Sequence, residues 1–563
     1  MTRRSPSRTS AAHMTVRQRG RLAVLPIPSA YGVVMSLKNV VDYIIVGSGA
    51  AGSALAHRLS ANPQNRVLVI EGDGAGEQQG HGMSSRFVQP STGLQHRNQR
   101  APQLLDGCRR TDGRADGSPA TSDMTASWGA EAAHQSWEAA DVASWNWARF
   151  LEACMPMERH AADATGLHVG DGRPADQAVR PPDAMSELWI AALARHGIQT
   201  VEELGGDHTK TAYTPWSESV ALRMSLHRPP LHGLAQRRNV RVRLHCIARR
   251  VLFDGTTAIG VETATPWGTV RFTARREVIL CAGAVSNTLV LERSGVGDPK
   301  VLSAVGVQLV AANPAVGSNL RQRRGAAFSL RLNGVSDRAP ESVTLAARLR
   351  AKVMRVLGRP DAMKSCGTSV LAVLNSKGGT SSLDMQLKFT STLVANGGAL
   401  PAGGAASSGV SVAFYPQSPT SVGSVHITGP TLEDPPRLVP GYLSTVHDWY
   451  LTFAAFARAR EILATEPFAS AMTETFPAAA VVDPEDVVQY VLKHGFNEDA
   501  VGTCALGPDG VVDDELRVRG TDRLRVADAS VMPRLPTLNT EAASRAVGWS
   551  AGDVLRNANR RSR

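Results

Sequence analysis

The stretch VVDYIIVGSGAAGSALAHRLSANPQNRVLVIEG (residues 40–72) decides the fold. It opens with an apolar run that predicts a buried strand and closes with a second such run, RVLVIEG. Between the two runs, Ala51, Leu55 and Leu59 are spaced four apart and would line one face of a helix. A strand, a helix and a strand with short connections predict the first unit of a parallel sheet.

A glycine pattern stands at the junction of the first strand and the helix. Gly47, Gly49 and Gly52 form GxGxxG, which allows a tight turn, close approach of a pyrophosphate and close packing of helix on strand. Glu71 follows at the end of the second strand, where a carboxylate can accept hydrogen bonds from ribose hydroxyls. The combination predicts a dinucleotide site, and both NAD and FAD fit it.

Composition and charge indicate a globular protein with more than one domain. The chain has 563 residues, of which 43% are hydrophobic and 20% charged. The net charge is +11, but seven basic residues in 1–41 and four in 556–563 account for all of it, so residues 42–555 are formally neutral. The charge therefore predicts basic tails and no nucleic-acid-binding face.

The cysteines and the N-terminus bear on the compartment. The six cysteines are scattered without a CxxC, which predicts reduced thiols, no metal site and a cytoplasmic protein. Residues 1–35 are rich in Arg and Ser, and we expect a disordered tail or a true start at Met35. No run of 18 apolar residues occurs, so no transmembrane helix is expected.

Other segments carry weaker local signals. Residues 72–135 have little periodicity and predict a long loop. The remaining predictions are helices over 181–197, ending at Gly197, and over 448–464, a hairpin at Asp254-Gly255, and antiparallel strands within 330–430.

Several segments, in this order, resemble the glucose–methanol–choline (GMC) family of flavin oxidoreductases. They are the opening stretch 40–72, REVILCAGAVSNTLVLERSGVG (276–297), NPAVGSNL (313–320), GSVHITGPTLEDPPRLVPGYLS (423–444) and VGTCALG (501–507) with the LRVADAS that follows. The resemblance covers most of residues 40–557. It implies an α/β fold in which an FAD-binding Rossmann-like domain carries a second, substrate domain built on a mostly antiparallel sheet.

The resemblance also implies a cofactor, its ligands and a domain division. FAD would be held by Gly47, Gly49, Ala50, Ala51, Gly52, Glu71, Gly117, Ser118, Gly283, Asp528 and Ala529. For Asp528 the alternative is a helix N-cap. The expected division is a tail (1–35), FAD-binding parts 36–135, 240–325 and 481–557, substrate parts 136–239 and 326–480, and a basic tail (558–563).

Two segments depart from the family pattern outside the catalytic position. In GRADGSPATSDM (113–124), Asp116 stands where a glycine is usual, and its charge would disfavour a nearby phosphate. NLRQRRG (319–325) lacks the Asp-His that commonly follows its Asn-Leu pair.

The third departure concerns catalysis directly. The family reads approximately His-x-x-Gly-Thr-Cys where this chain has Asp499 before Gly502, while Asn539 matches the second active-site position. An imidazole would take the hydroxyl proton as hydride leaves the carbon. An ionised Asp499 is a weaker base and repels an alkoxide, whereas a buried, protonated one would donate. His494 and His447 are alternative bases, although a structural role such as helix capping is the simpler reading of His494.

Three functions follow from this reading. The first is FAD-dependent oxidation of an alcohol, similar to a choline dehydrogenase, with oxygen or an electron carrier as acceptor. The second is a degenerate flavin-binding homologue without turnover, and the third is a lyase resembling the hydroxynitrile lyases of the family. The identity of the alcohol and the oligomeric state stay open.

Overall fold

The computed structural model describes most of the chain beyond residue 38. The described residues are 39–72, 145–154, 184–200, 211–213, 234, 237–333, 370–375, 384–390, 409–477, 479–536 and 540–561.

The described residues include nineteen strands, numbered here in chain order. They are β1 Val40–Val46, β2 Val67–Ile70, β3 Gln199–Thr200, β4 Thr211–Tyr213, β5 Val240–Arg243, β6 Ile247–Asp254, β7 Thr257–Thr265, β8 Gly268–Leu280, β9 Val296–Gly297, β10 Ala311–Ala312, β11 Arg321–Leu332, β12 Val370–Leu374, β13 Met385–Thr390, β14 Gly409–Pro416, β15 Ser424–His426, β16 Arg437–Val439, β17 Met472–Phe476, β18 Phe496–Val501 and β19 Leu524–Val526.

The helices of the same residues are numbered likewise. They are α1 Ala50–Ser60, α2 Trp147–Cys154, α3 Ala184–Arg195, α4 Ala284–Arg293, α5 Pro299–Ala304, α6 Val446–Leu463, α7 Phe468–Ala471, α8 Pro484–His494 and α9 Glu541–Arg561, with a 3₁₀ turn at Ala529–Val531.

The first sheet has the order β5-β2-β1-β8-β7-β6, and β19 pairs with β8 as well. The strands β5, β2, β1, β8 and β19 run parallel, while β6, β7 and β8 form an antiparallel meander. Their apolar side chains form one core, because both faces of the central strands are covered. Helix α1 packs on α9 so closely that a Cβ at Gly548 would lie 2.1 Å from the Ala51 carbonyl oxygen.

The second sheet has the order β17-β11-β14-β13-β12-β4-β3, and β18 pairs with β11. All its pairs are antiparallel except β3 with β4. One face packs on α3, α6 and α8 in a separate apolar core. Strand β11 has three partners within this sheet, because its first half pairs with β18 and its second half with β14 and β17.

These observations confirm the predicted fold class. The hairpin at Asp254-Gly255 is present, with Gly255 at a φ of +58°, and the predicted helices occur as α3 and α6. The parallel sheet draws its strands from three separated parts of the chain, in keeping with a discontinuous first domain. The domain boundaries themselves stay predictions, and most of the long loop lies outside the described residues. No described helix is both long enough and apolar enough to cross a membrane.

Candidate active site

Four chain segments meet at the carboxyl edge of the parallel sheet. The last residues of its strands are in register, with Val46 beside Ile70 and Leu280, and Leu280 beside Val526. The residues that follow these strands therefore lie side by side, which is where open α/β sheets bind ligands. They are Gly47, Glu71, Cys281 and Ala527.

The glycine turn leaves no room for side chains at two positions. Gly47 has a φ of +102°, and a Cβ there would lie 2.2 Å from the carbonyl oxygen of Cys281. A Cβ at Gly52 would lie 2.0 Å from the Gly47 carbonyl oxygen. Only glycine allows the turn, helix α1 and strand β8 to approach this closely.

The N-terminus of α1 is suited to an anion. Gly49 caps the helix, and no described side chain bonds to the cap or places an acid in the first turn. The backbone N–H groups of Ala50, Ala51 and Gly52 belong to that turn, where they have no partner within the helix. Together with the helix dipole they favour a phosphate.

Glu71 lies against the same turn. Its Oε2 accepts hydrogen bonds from the Ser48 backbone N–H at 2.8 Å and from the Ser48 hydroxyl at 2.6 Å. The carboxylate is thereby held beside the phosphate-binding helix end, where it can meet the sugar that follows a pyrophosphate.

Asp528 lies at the same edge of the sheet, just after the end of β19. Its buried carboxylate accepts hydrogen bonds from Gly283 N–H (2.7 Å), Asn287 Nδ2 (2.8 Å), Ser530 N–H (2.9 Å) and the Ser530 hydroxyl (2.5 Å). Burial raises the pKa of this carboxyl, and the hydrogen bonds oppose that shift. The residue caps the 3₁₀ turn that begins at Ala529, so the N-cap interpretation describes its contacts within the protein.

The Gly-Thr-Cys segment joins β18 to this edge. Gly502 has a φ of +86°, and a Cβ there would lie 2.3 Å from the Asn319 carbonyl oxygen. The Thr503 hydroxyl donates at 2.6 Å to the carbonyl oxygen of Ala284, the first residue of α4. These contacts explain the tight turn that follows Asp499.

Asp499 lies in an irregular part of β18. Its φ is +54°, and the pairing with β11 shifts register at this position, so that Arg323 faces Glu498 and Arg321 faces Val501. The carboxylate accepts hydrogen bonds from the backbone N–H of Thr540 at 3.1 Å and from its hydroxyl at 2.8 Å. Asp499 thus joins β18 to the start of α9.

Arg323 is the ionic partner of Asp499. Its guanidinium is fully buried and donates to the Asp499 carboxylate and to the carbonyl oxygens of Pro536 and Gln417. The segment 319–325 and position 499 both depart from the family pattern, and the ion pair shows that the two departures are in direct contact. The guanidinium balances the negative charge that an isolated Asp499 would place at the site.

Glu498 has different partners from Asp499, as expected for neighbours on a strand. Its carboxylate accepts from Lys388 Nζ at 2.6 Å and from the Tyr415 hydroxyl at 3.0 Å. Lys388 is 8% exposed, whereas Glu498 is 25% exposed. The Glu498 carboxylate is thus more exposed to solvent than the neighbouring Asp499 carboxylate.

The two histidines proposed as substitute bases lie elsewhere. His494 ends α8, and its ring lies at a 35° tilt against that of Tyr490, which belongs to the core of the second sheet. Burial lowers the pKa of His494, and the charge of Lys493 adds to the shift. His447 is exposed in the first turn of α6.

Three predicted site residues lie outside the described part of the chain. They are Gly117, Ser118 and Asn539, and their roles stay predictions. Neither Lys388 nor Tyr415 was predicted from the sequence to lie near this segment. A signal for the first was present, because the apolar segment MQLKFT (385–390) contains a lysine in the middle of a buried strand.

Comparison with known proteins fits this geometry. Family models described as GMC oxidoreductase match residues 41–324 and 419–548. The chain belongs to the GMC oxidoreductase family.

Curated and solved relatives span nearly the whole chain. An alcohol dehydrogenase [acceptor] of Pseudomonas putida is 28% identical, with 91% of this chain and 95% of the relative covered. An oxygen-dependent choline dehydrogenase of Escherichia coli is 27% identical, with 92% of this chain and 95% of the relative covered. The structure of an FAD-dependent oxidoreductase from Chaetomium thermophilum shares the fold, with a TM-score of 0.74 and 19% identity over 92% of this chain and 100% of that one.

The cofactor of this family is FAD, and the described residues fit it. The glycine turn admits a pyrophosphate, and the N-terminus of α1 offers N–H donors. Glu71 lies next to this turn, where it could bind the adenosine ribose. Individual roles of the predicted ligands stay predictions.

Proposed function

We propose that the protein oxidises the CH–OH group of a small-molecule alcohol with FAD. The observation that supports this most is the convergence of the glycine turn, the α4 N-terminus and the Gly-Thr-Cys segment at one sheet edge. The names of the curated relatives point to the same class of reaction. Oxygen or an electron carrier would serve as acceptor.

Two events make up the reaction, and the chain's residues serve each. FAD, when bound, would supply the acceptor for the hydride of the carbinol carbon. The hydroxyl proton leaves at the same time, and in this proposal it passes to the Glu498 carboxylate and from there to solvent. Asp499 acts as a positioning group, because its carboxylate is only 6% exposed and pairs with the buried Arg323, whereas the Glu498 carboxylate is 25% exposed.

The buried thiols agree with a reducing compartment. Cys246, Cys281 and Cys504 are free, and burial raises the pKa of Cys504 to about 12. A cytoplasmic location therefore forms part of this proposal.

The test is anaerobic reduction of the FAD-loaded protein by a panel of alcohols. We expect the flavin absorbance to bleach with at least one of them, and the aldehyde or ketone to form in equal amount. A fully loaded, folded protein that no alcohol bleaches would contradict the proposal.

A second candidate, a flavin-binding protein without turnover, is favoured by the Arg323–Asp499 pair, since the pair occupies the place of an imidazole. The double variant Arg323→Gln/Asp499→His restores that imidazole without leaving an unpaired guanidinium. A large gain in bleaching rate supports the second candidate. Loss of an existing rate supports the first.

A further inference from the structure

The second sheet has an apolar face and a polar face, and the polar face carries a defined group of side chains. Along β13, Met385, Leu387 and Phe389 join the apolar core. Because alternate residues of a strand point to opposite faces, Gln386 and Lys388 lie together on the other face. With Tyr415 and Glu498 they form the group that we call the Lys388 cluster.

Pairing and side-chain contacts bring the four residues together. Tyr415 lies directly opposite Gln386 in the register of β13 and β14. Lys388 Nζ lies 5.2 Å from the centre of the Tyr415 ring, and both side chains donate to Glu498. Since Glu498 immediately precedes Asp499 on β18, the cluster adjoins the segment that the family resemblance assigns to catalysis.

One buried donor of the cluster has no acceptor within the part of the chain that the structure describes. Gln386 is 1% exposed, and its Oε1 accepts from Gln417 Nε2 at 3.0 Å. Its Nε2 has no hydrogen-bond partner among the described residues. A buried amide N–H without an acceptor is unfavourable, so a ligand oxygen at this position would be stabilised.

We propose that the Lys388 cluster binds hydroxyl groups of an uncharged, polyhydroxylated alcohol. This proposal rests on the proposed function and defines the substrate class of the same site. The ammonium and the carboxylate lie 2.6 Å apart and balance each other, so the cluster offers no net charge to an ionic ligand. A hydroxyl both donates and accepts, and it can therefore meet the mixed donors and acceptors of this cluster.

The cluster disfavours two other kinds of alcohol. A quaternary ammonium alcohol is bound by aromatic rings or an unpaired carboxylate, but here Lys388 already pairs with the carboxylate and lies over the ring. An alcohol with an apolar side chain would leave the Gln386 donor without an acceptor and would remove water from Lys388 and Glu498.

The experiment compares substrates and variants of the FAD-loaded full-length enzyme. Initial rates and anaerobic bleaching are measured with sorbitol, benzyl alcohol and choline. We expect sorbitol to give the highest kcat/KM. Gln386→Met and Lys388→Met should each raise KM for sorbitol about tenfold, because each removes a hydrogen-bond donor to the ligand. Lys300→Met, which changes an exposed lysine on α5, should leave KM unchanged.

The outcomes separate this inference from the proposed function. If no alcohol bleaches the flavin, the proposed function itself fails. If benzyl alcohol or choline bleaches it faster than sorbitol, the alcohol oxidation stands and the inference is wrong. If Gln386→Met leaves KM for sorbitol unchanged, an ordered water is the only partner of the amide and the inference is again wrong. Gln386→Met introduces no charge and keeps the side-chain length, so it stays informative if Lys388→Met does not fold.

Discussion

Arg323 and Asp499 form the contact that most distinguishes this active site at the residue scale. Both side chains are almost completely withdrawn from solvent, and the pair lies where the family usually has an imidazole. A buried ion pair contributes little net stability, but removing one partner leaves a buried, unpaired charge. The pair is therefore sensitive to single substitutions.

Arg323→Met should lower the free energy of unfolding by about 3–5 kcal/mol, because it leaves Asp499 charged and buried. The double variant Arg323→Met/Asp499→Asn should cost clearly less, since Asn keeps an acceptor for Thr540 and tolerates a positive φ. Urea unfolding of the FAD-loaded proteins measures both. Arg458→Met, in an exposed pair, should change stability by about 1 kcal/mol or less. A double variant less stable than the single one would contradict this explanation.

The sequence could not have predicted this ion pair. Arg323 and Asp499 are 176 residues apart, and only the pairing of β11 with β18 brings them together. The positive φ of Asp499 is similarly a consequence of the shift in register between these strands. Family resemblance located both departures, but a contact between distant residues needs the fold.

The glycine turn was predictable at the scale of elements, because its signals are local. Strand, turn and helix follow one another within residues 40–60, and Gly47 and Gly52 each have a steric reason to be glycine. The polar face of the second sheet was not predictable in the same way. Lys388 lies in a short apolar segment, and its partner Glu498 comes from another strand.

Gly52→Ala should abolish or strongly weaken FAD binding. The added Cβ would lie 2.0 Å from the Gly47 carbonyl oxygen, so the turn and α1 would have to separate. FAD content after purification and a fluorescence titration of apoprotein measure the effect. Gly306→Ala is the control, because nothing lies within 4 Å of its added Cβ and the variant therefore reports only the cost of the positive φ of Gly306. Equal FAD affinity in the two variants would contradict the proposed role of the turn.

The last turn of α8 should make stability depend on pH. Burial lowers the pKa of His494 in the folded protein, so below about pH 6.5 the unfolded chain binds a proton that the folded chain does not. The free energy of unfolding is therefore unaffected by His494 above that pH and decreases as the pH falls below it. We expect His494→Gln to make the decline in unfolding free energy between pH 7 and 5 shallower. His447→Gln, at an exposed position, should leave the decline unchanged, and identical slopes for all three proteins would refute the assignment.

For the whole molecule, the paired strands β11 and β18 link the two apolar cores. The first half of β11 pairs with β18, next to the Gly-Thr-Cys segment, and its second half lies inside the antiparallel sheet. Val501 of β18 belongs to the first core, whereas Ala326 and Phe328 of β11 belong to the second. Binding of FAD at one sheet should stabilise both.

Added FAD should raise the free energy of unfolding by about 2.7 kcal/mol at a free concentration 100 times its Kd. Flavin release and far-UV circular dichroism should report the same urea midpoint, because the β11–β18 pair links the two cores. The control is Gly52→Ala, whose midpoint should not move with added FAD. Two separate transitions, only one of them shifted by FAD, would show that the sheets unfold independently.

The ion pair between β11 and β18 also constrains how such a site could arise over generations. In an ancestor with an imidazole at this place, arginine at 323 and aspartate at 499 would have to arise one after the other. Whichever came first would bury one uncompensated charge. Descendants should therefore carry arginine at 323 and aspartate at 499 together or not at all. Covariation of positions 323 and 499 among closely related sequences would be the evolutionary record of this one contact.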